Sequence, residues 1–140
     1  MSNHPLTARL RERLDPSGRE PLARQIVEHV WAEVVEGHLP TGERLPTVRR
    51  LAIELGLSPR SVERAYGELE KLGITMTRPG EGTFVSLSPP PEEERRRHRT
   101  FVELCRRTVA AAHELGYGVD ELLDEIREYP DPPPPEGVDP

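Results

Sequence analysis

Residues 47–73, TVRRLAIELGLSPRSVERAYGELEKLG, decide the fold of this chain. Thr47 and Ser58 are favourable helix N-caps, while Gly56 and Gly73 are favourable helix ends. Within each of the two segments so bounded, the apolar residues recur at spacings of three and four, as one buried helix face requires: Val48, Leu51, Ala52 and Leu55, then Val62, Ala65, Tyr66, Leu69 and Leu72. Two short helices joined by a tight turn that contains glycine predict a helix-turn-helix.

The flanking sequence extends this motif in both directions. Upstream, Leu22, Ile26, Val30 and Val34 recur at spacing four and predict an amphipathic helix. Downstream, residues 74–77 and 83–86 read as short strands on either side of a turn-rich loop. Helix, helix-turn-helix and β-hairpin in this order predict a winged helix-turn-helix over residues 20–87.

The remaining segments are predicted from their periodicity or its absence. Two further amphipathic helices are expected over residues 88–129, with apolar positions at spacings of three and four. Residues 1–19 show no sustained period and are expected to form a flexible N-terminal arm. Residues 130–140 are mostly proline and acids, so we expect a disordered Pro-rich tail. The fold class is therefore mainly α with a small β-hairpin wing.

Charge and composition limit the possible functions. The net charge is −6, although DNA-binding proteins are usually basic, and residues 87–140 carry seven arginines against thirteen acids. The acidic excess thus lies mostly outside the winged helix. The single cysteine, Cys105, excludes an internal disulfide. The sequence shows no apolar run of transmembrane length and no signal peptide, so we expect a cytoplasmic protein without membrane association.

Residues 21–85 resemble the DNA-binding domain of GntR-family regulators. The motifs that carry the resemblance span the first helix, the helix-turn-helix and the wing, in order and at matching spacing. They are Pro21-Leu22-x-x-Gln25-Ile26, Gly37-x-Leu39-x-x-Gly42-Glu43-x-Leu45-Pro46-Thr47-x-Arg49-x-Leu51-Ala52, Leu55-Gly56-Leu57-Ser58, Val62-x-x-Ala65-Tyr66-x-x-Leu69-Glu70-x-x-Gly73 and Gly80-x-Gly82-Thr83-Phe84-Val85.

The C-terminal part is similar to the short YtrA-type branch of that family, whose members carry two dimerisation helices in place of a ligand-binding domain. The match is Leu115-Gly116-x-x-x-x-Glu121-Leu122-Leu123, at the junction of the two helices. The resemblance implies a homodimer. Its interface is expected to bury Phe101, Leu104, Thr108, Leu115, Leu122 and Ile126.

The resemblance also implies a binding mode with double-stranded DNA. The helix that begins after Ser58 would be the recognition helix, with its N-terminal end in the major groove. Arg60 is the best candidate for a bidentate contact to guanine, and Arg64 lies one turn further on. Ser58 and Ser61 would bond phosphates or bases, and Thr47 would contact a phosphate through its hydroxyl or the helix N-terminus.

Three further contacts are implied by the family alone. Arg49, on the preceding helix, would be a second DNA-contacting arginine, and Arg78 with the backbone of Gly80 would enter the minor groove.

The sequence departs from the best-known branch of the family at two positions, Pro59 and Glu63. Members of the short branch share the proline at Pro59. Glu63 removes positive charge and predicts a different operator.

Less specific interpretations stand beside these. Surface arginines are commonly just solvated, and Thr47 and Ser58 would cap helices in any domain. Glu92 to Arg97 place opposite charges at spacing three, which stabilises a helix, while Arg95 to Arg99 could instead add phosphate contacts. The five histidines show no metal-ligand spacing, and no catalytic set is present, so we expect no metal, cofactor or enzymatic activity.

The function predicted is sequence-specific transcription regulation, most simply by a homodimeric repressor on an inverted-repeat operator. The alternative, motivated by the acidic charge, is a winged-helix module for protein–protein interaction without specific DNA binding.

Overall fold

The structure, a computed structural model, describes residues 4–137, and the chain divides into two compact units, Met1–Arg97 and His98–Pro140. The elements of the first unit are α1 (Pro5–Arg13), α2 (Leu22–Val35), α3 (Val48–Leu55), α4 (Pro59–Lys71), β1 (Thr75–Arg78) and β2 (Gly82–Val85). Helix α5 (Glu92–Glu114) begins in the first unit and continues in the second, which also contains α6 (Val119–Ile126). The described helices include none that is long and apolar enough to cross a bilayer.

The helix-turn-helix forms as its caps predict. The Thr47 hydroxyl accepts a hydrogen bond from the N–H of Arg50 at 3.1 Å, and Ser58 accepts one from the N–H of Arg60 at 3.1 Å. Gly56 ends α3 in the left-handed conformation, with φ at 66°, which residues with a Cβ seldom adopt. Helices α2, α3 and α4 pack together, so the prediction of a helix-turn-helix is confirmed.

The wing is an antiparallel pair in which Thr75 faces Val85 and Arg78 faces Gly82. Each strand is shifted by one residue from the expected range. A third extended segment joins the hairpin, because Arg44 forms an isolated bridge with Phe84. This bridge holds the hairpin to the loop before α3.

The core of the first unit is formed by the apolar faces that the spacing predicted. Trp31 is 2% exposed, and its indole N–H donates to the carbonyl of Pro90 at 3.1 Å. Other buried members include Ile26, Val30, Leu51, Val62, Ala65, Leu69, Ile74 and Val85.

Helix α1 corrects the expectation of a flexible arm over residues 1–19. Leu6 and Leu10 are fully buried, and α1 packs against both α2 and α3. His4 caps the helix by accepting from the N–H of Leu6. A nine-residue helix is marginal by itself in water, so burial of its apolar face supplies the stabilisation. Residues 1–3 of the expected arm lie outside the described part of the chain.

The second unit contains an apolar surface in place of a core. The described residues of α5 and α6 include none that is buried. Phe101 is 61% exposed and Leu115 is 77% exposed. Residues 130–137 form neither helix nor strand, and residues 138–140 of the expected tail lie outside the described part.

Candidate nucleic-acid interface

The first turn of α4 carries the recognition residues predicted from sequence. Ser58 is the N-cap and Pro59 the first helical residue, so the chain enters the helix at a defined angle. Val62 and Ala65 are fully buried beneath this turn. The opposite side of the helix is exposed and carries Arg60 and Arg64, which are four residues apart and therefore share a face.

Helix α3 supplies the second group of candidates. Its cap residue Thr47 is exposed, as is Arg49. The neighbouring Arg50, unlike Arg49, is paired within the helix: its Nε donates to the Glu54 carboxylate at 2.9 Å. Tyr66 joins α4 to the start of α3: its hydroxyl donates to the carbonyl of Pro46 at 2.6 Å. This bond holds the residue just before the Thr47 cap.

The wing presents Arg78 and Gly80 at its tip. Arg78 lies over the ring of Phe84, 4.7 Å from its centroid, in a cation–π contact that restrains the arginine. Gly80 has φ at 77°, so the turn requires glycine there. All eight predicted DNA-contacting residues are exposed except Ser61, which is half-buried.

The charges of the first unit fall into two groups. Arg49, Arg60 and Arg64 form no ion pair with any residue in the described range 4–137. Other cations are neutralised: Arg95 lies 2.7 Å from Glu28 and 2.9 Å from Glu92. The candidate recognition arginines are therefore free to pair with an external anion, whereas the Arg95 side chain is already engaged.

A buried carboxylate lies on α2. Glu33 is 1% exposed and pairs with Arg9 of α1, with Arg13 at 3.8 Å and with His38 at 3.0 Å. Glu36 also approaches His38, which brings three potential metal ligands within 4.8 Å in the described part of the chain. Because two guanidinium groups already pair with Glu33, this cluster is best described as an ion-pair network, and we assign no metal to it.

Sequence reasoning missed Arg44 and the Tyr66 hydrogen bond. Arg44 lies in a segment of three residues, too short for an alternation signal, and its side chain packs so closely on Gly82 that an added Cβ there would lie 2.9 Å from Nε. The spacing predicts a buried Tyr66, but the partner of its hydroxyl is twenty residues away. In both cases the partner is distant in the sequence.

The arrangement has the chemistry of a groove-binding surface: exposed guanidinium and hydroxyl groups lie at capped helix N-termini beside a β-hairpin. Residues 22–85 match the bacterial regulatory proteins of the gntR family. The chain is 32% identical over 110 residues to the HTH-type transcriptional regulator YhcF of Bacillus subtilis (strain 168), covering 79% of this chain and 90% of YhcF.

Two further matches are to YtrA proteins. The chain is 30% identical over 115 residues to the HTH-type transcriptional repressor YtrA of Bacillus subtilis (strain 168), covering 82% of this chain and 88% of that protein. The solved structure of YtrA from Sulfolobus acidocaldarius, a GntR-family transcription factor, matches with a TM-score of 0.50 and 25% identity over 82% of this chain and 92% of that chain. The predicted family is thereby confirmed: the chain belongs to the GntR family of bacterial transcription regulators, as a YtrA-type member and not an enzyme.

Proposed function

We propose that this chain is a cytoplasmic homodimeric repressor that binds an inverted-repeat operator in double-stranded DNA. The observation that carries the proposal is the N-terminal turn of α4. It presents Arg60 and Arg64 to solvent above the fully buried Val62 and Ala65, and neither arginine is paired within the described residues. YtrA of Bacillus subtilis is a transcriptional repressor, which supports repression as the sign of regulation.

In this proposal the exposed end of α4 enters the major groove. Arg60 donates two hydrogen bonds to a guanine, Arg49 contacts the same groove from α3, and Arg64 lies one turn along. The hydroxyls of Thr47, Ser58 and Ser61 bond phosphates or base edges at the two helix N-termini. Arg78 and the backbone of Gly80 enter the adjacent minor groove from the wing.

Dimerisation is supported by the apolar surface of α5 and α6. Stable monomers seldom expose large contiguous apolar surfaces, because hydration of that surface is unfavourable. In the second unit Phe101, Leu104, Leu115 and Ile126 are each at least half exposed, while Thr108 and Leu122 are half-buried. A second copy of α5 and α6 covers these residues, and two-fold symmetry requires a palindromic operator.

The direct test measures binding of the purified protein to a labelled fragment of its own promoter region. Arg49→Ala and Arg60→Ala are each expected to weaken binding by about 1–3 kcal/mol while leaving thermal unfolding unchanged. Lys71→Ala is the matched control, since Lys71 is an exposed cation at the far end of the same α4 helix. Equal binding by wild type and both arginine variants would contradict the contact assignment.

The same titration, repeated over a range of salt concentrations, separates DNA binding from the protein-interaction alternative that the net charge of −6 suggests. Binding to phosphates releases counterions, so affinity for the fragment must fall steeply as salt rises. If the protein does not bind the fragment even at low salt, the result would support the alternative function, a winged-helix module for protein–protein interaction.

A further inference from the structure

The exposed side of α4 carries a carboxylate among its arginines. Arg60, Glu63 and Arg64 are exposed, and Gly67 is exposed one turn further on. Their spacings of three and four residues place all of them on one side of the helix, while the opposite side is buried in the core of the first unit. A partner that meets both arginines therefore also meets Glu63.

The Glu63 side chain has no partner among residues 4–137, since it accepts no hydrogen bond and forms no ion pair there. Glu68, on the same helix, is different, because its carboxylate lies 3.8 Å from Arg24 of α2. Glu63 thus contributes no contact between the helices of the first unit. Its carboxylate oxygens are available to a hydrogen-bond donor outside the described chain.

Gly67 indicates a close approach to the same side of α4. Glycine is among the least favourable residues within a helix, and Gly67 lies well inside α4 with a negative φ that any residue adopts. A Cβ added there would meet no other element of the described chain within 4 Å, so packing in the first unit does not exclude a side chain. The missing side chain leaves room for a large partner to approach the helix backbone, and this indication does not depend on charge.

The major groove of DNA discriminates strongly among bases that face a carboxylate. Guanine presents the acceptors N7 and O6 there, thymine presents O4, and adenine presents N7 beside its N6 amino group. An ionised carboxylate can only accept hydrogen bonds, so each of these acceptors repels it. Cytosine presents its N4 amino group with no acceptor beside it. A glutamate in the groove therefore favours cytosine and rejects the other three bases.

The spacing along α4 brings Glu63 to a base pair close to that of Arg60. Three residues of a helix rise about 4.5 Å, whereas successive base pairs are about 3.4 Å apart. Gly67 follows about 6 Å beyond Glu63, within the width of one groove. The guanidinium groups of Arg60 and Arg64 offset the repulsion between the Glu63 carboxylate and the phosphates.

We propose that Glu63 is a specificity-determining residue of this chain. Its carboxylate accepts a hydrogen bond from N4 of a cytosine, in a base pair beside that of the guanine contacted by Arg60, and the DNA lies close against α4 as far as Gly67. The inference rests on the proposed DNA-binding function and adds to it the identity of one base in each half-site. Because the carboxylate repels the acceptors of the other bases, Glu63 raises specificity more than affinity.

Selection of binding sites by the full chain from a library of randomised duplexes tests the cytosine contact. Wild type is expected to select one cytosine per half-site beside the guanine of Arg60. Glu63→Gln is expected to select adenine at that position, because glutamine pairs with N6 and N7 of adenine, and Glu63→Ala is expected to select no base there. Glu70→Gln makes the same change at an exposed position near the far end of α4, and this control should select the wild-type sequence.

Affinity measurements on the selected operator give the size of the effect. Replacing the cytosine is expected to weaken binding by wild type about ten-fold, but binding by Glu63→Ala no more than about two-fold. Both Glu63 variants should keep the guanine preference, since Arg60 is intact. Their thermal unfolding should match that of wild type, because the Glu63 side chain has no partner in the described fold.

Gly67→Leu tests the close approach. Leucine favours a helix more than glycine does, so the melting temperature is expected to rise. Operator affinity is expected to fall about ten-fold or more, because the larger side chain separates α4 from the groove. A loss of binding by a more stable protein distinguishes this clash from a folding defect.

The proposal is overturned if wild type selects an operator and both Glu63 variants select the same base at every position. That result leaves the proposed DNA-binding function intact. The proposal is also overturned if Gly67→Leu binds the operator as tightly as wild type does, since the close approach is then absent. If wild type selects no sequence even at low salt, the proposed function fails together with this inference, so the two failures are distinguished.

Discussion

His29 lies half-buried on α2, close to cations from two other helices. Desolvation of the ring, followed by the charges of Arg13 and Arg95, lowers the pKa of His29 from its ordinary 6.5, and the nearby Glu33 opposes this shift. The folded protein therefore favours the neutral ring. Its contribution to the free energy of unfolding is fully present above pH 6.5. This contribution declines as the pH falls from 6.5 through the lower pKa of the folded state, because the unfolded chain binds the proton first.

We therefore expect the free energy of unfolding to decrease between about pH 7.5 and about pH 5.5, and His29→Gln to reduce that decrease, because glutamine does not titrate. Urea unfolding of wild type and variant at the two pH values checks this. An identical decrease in both proteins would assign the pH dependence to other groups.

Tyr66 forms a buried hydrogen bond with a partner twenty residues away in the sequence. It is buried, and desolvation raises the pKa of its hydroxyl well above the ordinary value. The neutral hydroxyl donates to the Pro46 carbonyl. Tyr66→Phe removes the donor, leaves that carbonyl without it, and is expected to cost about 1–3 kcal/mol.

Urea unfolding at neutral pH measures the loss. Tyr129→Phe, at a position 69% exposed, makes the same chemical change without burial and should leave stability unaltered. Equal stability of the two variants would show that the buried hydrogen bond contributes no net free energy.

At the scale of the element, α1 is the unexpected component of the winged helix. It buries Leu6 and Leu10, and its Arg9 and Arg13 pair with Glu33 of α2, whose charge would otherwise be buried without compensation. Arg11 also donates to the carbonyl of Glu54, near the end of α3, at 3.0 Å. The helix thus contacts both α2 and α3 through apolar and polar groups.

Leu10→Ala is expected to destabilise the first unit by about 2–5 kcal/mol, because it creates a cavity at a fully buried position. Chemical unfolding monitored at Trp31 provides the measurement, since Trp31 is the single tryptophan and lies in the same core. Leu87→Ala, at a 70% exposed position, is the control. If Leu10→Ala lowered the free energy of unfolding no more than Leu87→Ala does, residues 1–19 would be a flexible arm as the sequence predicted.

At the scale of the whole molecule, operator binding as proposed needs two copies of the chain. Leu104 is 53% exposed on α5, so an aspartate is tolerated in a single chain but not within an apolar interface. Leu104→Asp is accordingly expected to yield monomers in sedimentation experiments, while wild type sediments as a dimer.

Ala110→Asp adds the same charge to an exposed position of α5 away from the apolar stripe, and should leave the dimer intact. A monomeric wild type would refute the dimer directly. Equal dissociation of both variants would place the interface elsewhere on the helix.

Local sequence determined the helix-turn-helix and the wing of this chain. The caps at Thr47 and Ser58, the left-handed Gly56 and the apolar spacing of α4 act within a few residues of one another, so the signal is complete in one short stretch. The same pattern predicted which α4 residues face solvent, including Arg60. The DNA contacts themselves remain predictions.

Only the tertiary structure decided the position of α1, the bridge from Arg44 to the wing and the ion pairs of Glu33. Glu33 and Arg9 are 24 residues apart in the sequence, and His4 and Arg44 are 40 residues apart. Arg44 and Phe84, which form the bridge to the wing, are separated by a similar distance along the chain. Propensity and periodicity describe neighbours along the chain. A marginal helix or a three-residue strand is stabilised by surfaces that exist only after the rest of the domain has folded.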